Sequence, residues 1–277
     1  MKKHLSTILL VGVFLLGLGI LLYPSVSDYW NSMHQTRAIG AYEDTLSGMT
    51  QKDYSEYFAQ AEAYNAALAS LPTPLTGYEV LDTLEEVPKY RDVLDVNGMG
   101  IMGYIDIDEI GVELPIYHGT DPSVLNVAVG HLEGTSLPVG GVGTHCVLSA
   151  HRGLPSARLF TDLDRLKVGD TFTLTVLNRL LTYQVDQVLI VEPDQVEALA
   201  IDPNEDYCTL VTCTPYGINT HRLLVRGHRV ENAREKPVVY VPADMVRIDP
   251  LVVTPAVAAP MLLALLIFLL IRYRKRS

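Results

Sequence analysis

Residues 206–230 read "DYCTLVTCTPYGINTHRLLVRGHRV". Two β-like runs, "DYCTLVTC" and "THRLLVRGHRV", flank the turn "TPYGIN". Pro presets φ, Gly supplies positive φ, and Asn tolerates it, so this punctuation marks a strand, a turn and a returning strand. Cys213 closes the first run and Arg222 opens the second, nine residues later. A hairpin here brings Arg222 back to the end of the sheet where Cys213 lies. On residue type alone, Cys213 is a nucleophile, half of a disulfide or a small core residue.

Moving upstream, further strand-like runs accumulate. "IMGYIDID" (101–108) alternates, and "VELPIYHG" (112–119) follows it after a Gly turn. "THCVLSA" (144–150) reads as a buried strand, and "TFTLTVL" (171–177) with "LTYQVDQVLIVEP" (181–193) as a hairpin turning at Asn178-Arg179. "ARLFTDLDRLKVGD" (157–170) is expected to form a short amphipathic helix ending at Gly169. Seven or eight short strands with few helices predict a mainly β fold, a closed or nearly closed β-barrel.

Outside the barrel, the chain changes character. Residues 28–71 are polar and helix-prone, with Ile39, Tyr42, Leu46, Met49, Tyr57, Ala61, Tyr64 and Leu68 on a helical stripe. Gly40 and Gly48 favour two helices with a bend near "SGMTQKD". "LPTPLTG" (71–77) stops the helix, and 72–97 reads as a long loop or lid.

Both ends are apolar. Residues 5–27 carry no charge and contain "ILLVGVFLLGLGILLY" after "MKK". The run is long enough to cross a bilayer, and "YPSVS" is a poor cleavage site, so 1–27 reads as an uncleaved anchor. Residues 251–271 are also uncharged, and the tail 272–277 holds Arg272, Arg274, Lys275 and Arg276. Basic residues stay on the cytoplasmic side, so both termini are expected inside and the segment between them outside. The expected organisation is therefore an anchor (1–27), a helical segment (28–71), a lid (72–97), the barrel (98–230), a linker (231–250), a second span (251–271) and a cytoplasmic tail (272–277).

Composition excludes some chemistry. A net charge of −11, with basic residues clustered only at the C-terminus, argues against nucleic acid as a partner. His145 and His151 are six apart and His221 and His228 seven apart, which is no metal-ligand spacing on a helix. "DVNGMG" (95–100) lacks the ligands of a calcium loop. Neither a metal nor another cofactor is expected.

The reactive form of Cys is the thiolate, which needs a base or cation nearby. His151 directly follows the strand "THCVLSA". If that strand runs parallel and adjacent to "DYCTLVTC", His151 and Cys213 leave the sheet at one edge, and Arg222 joins them. The same register makes Cys146 and Cys208 level with each other. Their odd offset of five residues turns both to the opposite face, into the barrel. There they form either a strained cross-strand bridge or two packed thiols.

These residues carry a resemblance. "TLVTC" with the downstream Arg222, and "AHRG" around His151, resemble the signature of the sortases. "GYIDIDEIGVELPIYHGT", "GHLEGTSLPVGG", "HRGLPSARLFTDLDRL" and "TCTPYGINTHRLLVRGHR" are similar to the pilus-assembling class C members of Gram-positive bacteria, across about 98–230. The resemblance implies an eight-stranded barrel and a cysteine transpeptidase acting on an LPxTG-type sorting signal of a secreted pilin. Cys213 is then the acyl-carrying nucleophile, His151 the general acid and base, and Arg222 the oxyanion and substrate clamp, with Thr212 beside the groove holding substrate. The acceptor is a pilin lysine, while relatives that anchor surface proteins use the cell-wall precursor instead. A non-catalytic membrane-anchored binding module is a remoter alternative. The lid motif of the class, Asp-Pro-aromatic, is missing from 72–97, which leaves Tyr78 or Tyr90 as candidate covers for Cys213 and Glu79 or Asp82 as candidate partners of Arg222.

Overall fold

The computed structural model describes residues 2–232, 260, 262 and 263. The alternating runs become strands: β1 (Ile101–Ile107), β2 (Val112–His118), β3 (Val129–His131), β4 (Thr144–Ser149), β5 (Thr171–Val176), β6 (Arg179–Val191), β7 (Asp206–Thr214) and β8 (His221–Val230). They close into a barrel in the order β1-β2-β3-β4-β7-β8-β6-β5. The pairs β2–β3 and β4–β7 are parallel. Closure removes the exposed edges that short strands would otherwise present.

Alternation along β7 shows how the barrel is filled. Cys208, Leu210 and Thr212 point inward, beside Cys146 and Leu148 of β4 and Val225 and Leu223 of β8. Phe172 stacks on Tyr183, with centroids 5.6 Å apart. Gly103 is required in β1, because a Cβ there would sit 2.3 Å from the Thr175 carbonyl oxygen of β5.

Two sequence expectations need correction. β3 was not anticipated, since it is three residues long and carries no legible alternation. Residues 157–170 contain no α-helix, only turns and one 3-10 turn at Leu163–Arg165. Leu159 adopts a left-handed φ of 41°, which no continuing α-helix allows. Phe160, Leu163 and Leu166 are nevertheless buried, because the three-residue spacing of a 3-10 turn serves them equally well.

The chain before the barrel is helical: α1 (Lys2–Ser47), α2 (Gln51–Ala69) and a single turn α3 (Pro74–Gly77). α1 continues unbroken through the expected boundary at residue 27 and includes Pro24. By length and apolar composition α1 can cross a membrane. The bend falls where Gly48 suggested, and Thr50 and Asp53 form a capping box that starts α2. Ile39, Tyr42, Leu46, Ala61, Tyr64 and Leu68 are buried as expected, while Phe58 takes the position expected of Tyr57. The described chain falls into two compact units, and the barrel belongs to the one formed by His34–Leu154 and Arg158–Tyr240. Within that unit, the Tyr42 hydroxyl donates to the Met102 carbonyl and accepts from the Leu177 N–H. Asn65 of α2 both donates to and accepts from the backbone of Leu137. The linker from 233 onward, the second span (except residues 260, 262 and 263, which are helical) and the basic tail lie outside the described residues.

Candidate active site

In β7 and β8, Cys213 is paired directly with Arg222. Paired residues share a face, so both side chains stand on the outer face of the barrel. β4 lies parallel to β7 with Ser149 level with Val211 and Cys146 level with Cys208. The register continued by two residues puts His151 level with Cys213. The chain therefore brings Cys213, His151 and Arg222 to one edge, from three strand termini. All three are partly exposed. The Arg222 guanidinium rests on the turn, donating to the carbonyls of Asn219 and His221 at 3.3 and 3.1 Å.

An apolar floor leads to this edge. Val147 of β4, Leu224 of β8 and Leu199 form a buried cluster on the outer face, flanked by Leu132, Leu189, Val191 and Val211. Val191 is level with Arg222 in the β6–β8 register. The floor thus runs along the sheet to the place where the thiol and guanidinium stand. Beyond it, a cavity of about 970 Å³ opens at the Thr144 end, lined partly by Leu71, Pro72, Leu75, Val142 and Ile201. Such a groove suits an extended peptide with an apolar side chain.

Thr212 is placed differently from the sequence expectation. It is 2% exposed and points into the barrel, where its hydroxyl donates to the Ala150 carbonyl at 2.8 Å. It faces away from Cys213 and does not line the groove, because adjacent strand residues alternate sides.

The lid candidates also divide. Tyr90 is 3% exposed, and its hydroxyl donates to His131 Nδ1 at 2.9 Å while accepting from the Gly119 N–H. Burial pushes its phenol well above the ordinary range. It is a core residue and covers nothing at Cys213. Asp82 accepts from the Tyr90 N–H at 3.3 Å and so serves the same anchor rather than Arg222. Tyr78 hydrogen-bonds Glu133, and Glu79 is exposed. Leu75 of α3, which sequence reading passed over, is the member of this segment that packs on the apolar floor. Only the signal of one Leu after Pro74 was available for it.

The remaining cysteines are free thiols buried in the barrel, hydrogen-bonded to each other and, for Cys146, to His131. Burial pushes the Cys208 thiol well up. Neither reaches the outer face.

A family model described as "Sortase domain" matches residues 105–230. The fold is similar to the crystal structure of sortase C1 from Streptococcus agalactiae, at 51% identity and a TM-score of 0.65, covering 71% of this chain and 99% of that one. Sortase C from Streptococcus pneumoniae, whose structure is described as informing catalysis and pilin substrate specificity, is 44% identical with a TM-score of 0.62, covering 71% of this chain and 97% of that one. Among curated relatives, sortase A of Streptococcus agalactiae is 30% identical over 43% of this chain, and the match spans 49% of that relative's length.

Proposed function

The chain belongs to the sortase family, and from that premise we propose that it is a class C cysteine transpeptidase that joins secreted pilin subunits. The observation that carries this reading is the direct pairing of Cys213 with Arg222 at the end of an apolar groove, with His151 two residues beyond the end of the parallel strand β4.

The chemistry follows from those groups. The Cys213 sulfur attacks the Thr carbonyl carbon of an LPxTG-type signal held along the floor. The developing oxyanion accepts hydrogen bonds from Arg222, whose charge makes them strong. The C–N bond breaks as His151 gives its proton to the departing Gly amine, leaving a thioester on Cys213. A pilin lysine amine then attacks, loses a proton to His151, and expels the thiolate. The product is an isopeptide bond between subunits. We place the catalytic barrel outside the membrane, with α1 as one anchor and 251–271 as a second.

Incubation with a candidate pilin tests the reading. Covalent high-molecular-weight ladders are expected with the native pilin and are expected to vanish when its acceptor lysine is replaced. Transfer to a cell-wall precursor amine in place of ladders would identify an anchoring enzyme instead. A folded protein that forms no thioester with any sorting-signal peptide would overturn the proposal.

A further inference from the structure

Ladder bonding between β4 and β7 stops just short of the site. The Ala150 N–H donates to the Val211 carbonyl at 3.2 Å, and the chain then leaves the sheet. His151 and Cys213 are not among the paired residues. Two side-chain bonds span the gap instead, one on each side of the pair. Thr212 donates to the Ala150 carbonyl at 2.8 Å, and Arg152 Nη1 donates to Thr214 Oγ1 at 3.3 Å. Residues 150, 151 and 152 thus stand opposite 212, 213 and 214 as three rungs. The outer two are hydrogen-bonded and the middle one holds the reacting groups.

The guanidinium of Arg152 is also tied elsewhere. Its Nη2 meets Asp164 of the 3-10 turn at 2.5 Å. The side chain is only 10% exposed, and its Nε is buried with no partner among the described residues. A buried guanidinium with an orphan N–H is a poor choice for stability alone. Sequences break such local rules mainly where function asks for it. Gly153 completes the loop at φ +76°, its N–H donating to Thr161, and a Cβ there would come within 2.8 Å of the Tyr216 ring. The loop carrying His151 and the turn after Cys213 are therefore joined by Arg152 and by the close approach of Tyr216 to Gly153.

We propose that Arg152 is a positioning residue: by bridging Thr214 and Asp164 it holds the His151 imidazole in register with the Cys213 thiol, and Thr212 does the same from the other side through Ala150. This rests on the transpeptidase reading of Cys213 and His151. A general acid displaced by about an ångström loses on the order of 100-fold in rate without touching substrate contacts.

The test uses the full chain in detergent and a fluorogenic sorting-signal peptide. Arg152→Met and Thr214→Val are each expected to lower kcat by about 10- to 100-fold, with KM within about threefold. Arg152→Lys is expected to recover part of the loss. Thr214→Val keeps the side-chain shape, so it separates positioning from folding. A second readout is the pH dependence of Cys213 alkylation, which should move in both variants towards that of His151→Ala. A merely structural role would leave that profile alone. Wild-type kcat in both folded variants, or an unmoved alkylation profile, overturns the inference. An inactive wild type sinks the functional reading instead, and the alkylation profile still decides the positioning.

Discussion

Cys208 and Cys213 lie on the same strand, five residues apart, and live in opposite surroundings. Cys208 faces inward, fully buried, with the Cys146 thiol as its neighbour. Cys213 faces outward, partly exposed, paired with an arginine at the end of a groove. The chemistry of the two side chains is identical, so the difference comes from parity along the strand. An odd offset exchanges the core for the surface. Burial penalises the Cys208 thiolate inside the barrel.

The largest expected effect breaks the outward member. Cys213→Ala should reduce peptide cleavage by at least about 10³-fold, with an unchanged melting temperature. Retained cleavage in that variant would remove Cys213 from the chemistry. Alkylation sharpens the same contrast: native protein should take up a single iodoacetamide on Cys213. After denaturation without reductant, mass spectrometry should count three modified cysteines. Only one modified cysteine in the denatured sample would mean that Cys146 and Cys208 are bridged.

A smaller effect concerns what lies on the outer face. Leu75 packs on the floor that the substrate is proposed to use. Leu75→Ala should raise hydrolysis of a sorting-signal peptide several-fold, on the order of 1 kcal/mol. An unchanged or lower rate would show that the segment does not compete with substrate. On the inner face, Cys208→Ala should cost about 1 kcal/mol of stability and leave cleavage intact. A loss of activity without a loss of stability would contradict the separation of the two faces.

The smallest effect is a pH dependence at the Thr144 end of the outer face. His145 donates from Nδ1 to the Ala200 carbonyl at 2.9 Å, and its Nε2 accepts from Thr209. Burial holds it below the ordinary 6.5, with the Ala200 bond opposing, the Arg226 charge adding to the depression and Asp186 opposing it. A depressed folded value means that the unfolded chain binds the proton first as pH falls. The neutral histidine's contribution is then present above about 6.5 and lost progressively below it. The melting temperature should fall from pH 7 to pH 5, and His145→Gln should flatten that fall. An equal slope in the variant would assign the dependence to other groups.

Much of this was legible in the chain itself. Alternation and turn residues announced seven of the strands, and matched spacing announced that Cys213, His151 and Arg222 share an edge. The parallel pairing of Cys146 with Cys208 followed from the same five-residue offsets. β3 was not legible, because three residues are too few for a period to register. The helix expected at 157–170 failed because a three-residue apolar spacing fits a 3-10 turn as well as an α-helix, and the left-handed backbone at Leu159 selects the former. The substrate-holding role that the resemblance implied for Thr212 does not fit its place, because its neighbour Cys213 faces outward and neighbours on a strand face opposite ways.

The amino-acid sequence by itself determined most of the strand pattern, the edge shared by Cys213, His151 and Arg222, and the inward turn of two cysteines. These depend on short-range periods and on the fixed two-residue repeat of a strand. Only the tertiary structure decided that Tyr90 is a core anchor, that Leu75 rests on the floor, and that Arg152 reaches Thr214. Those facts depend on which distant surfaces meet when the barrel closes, and the local pattern carries no record of that.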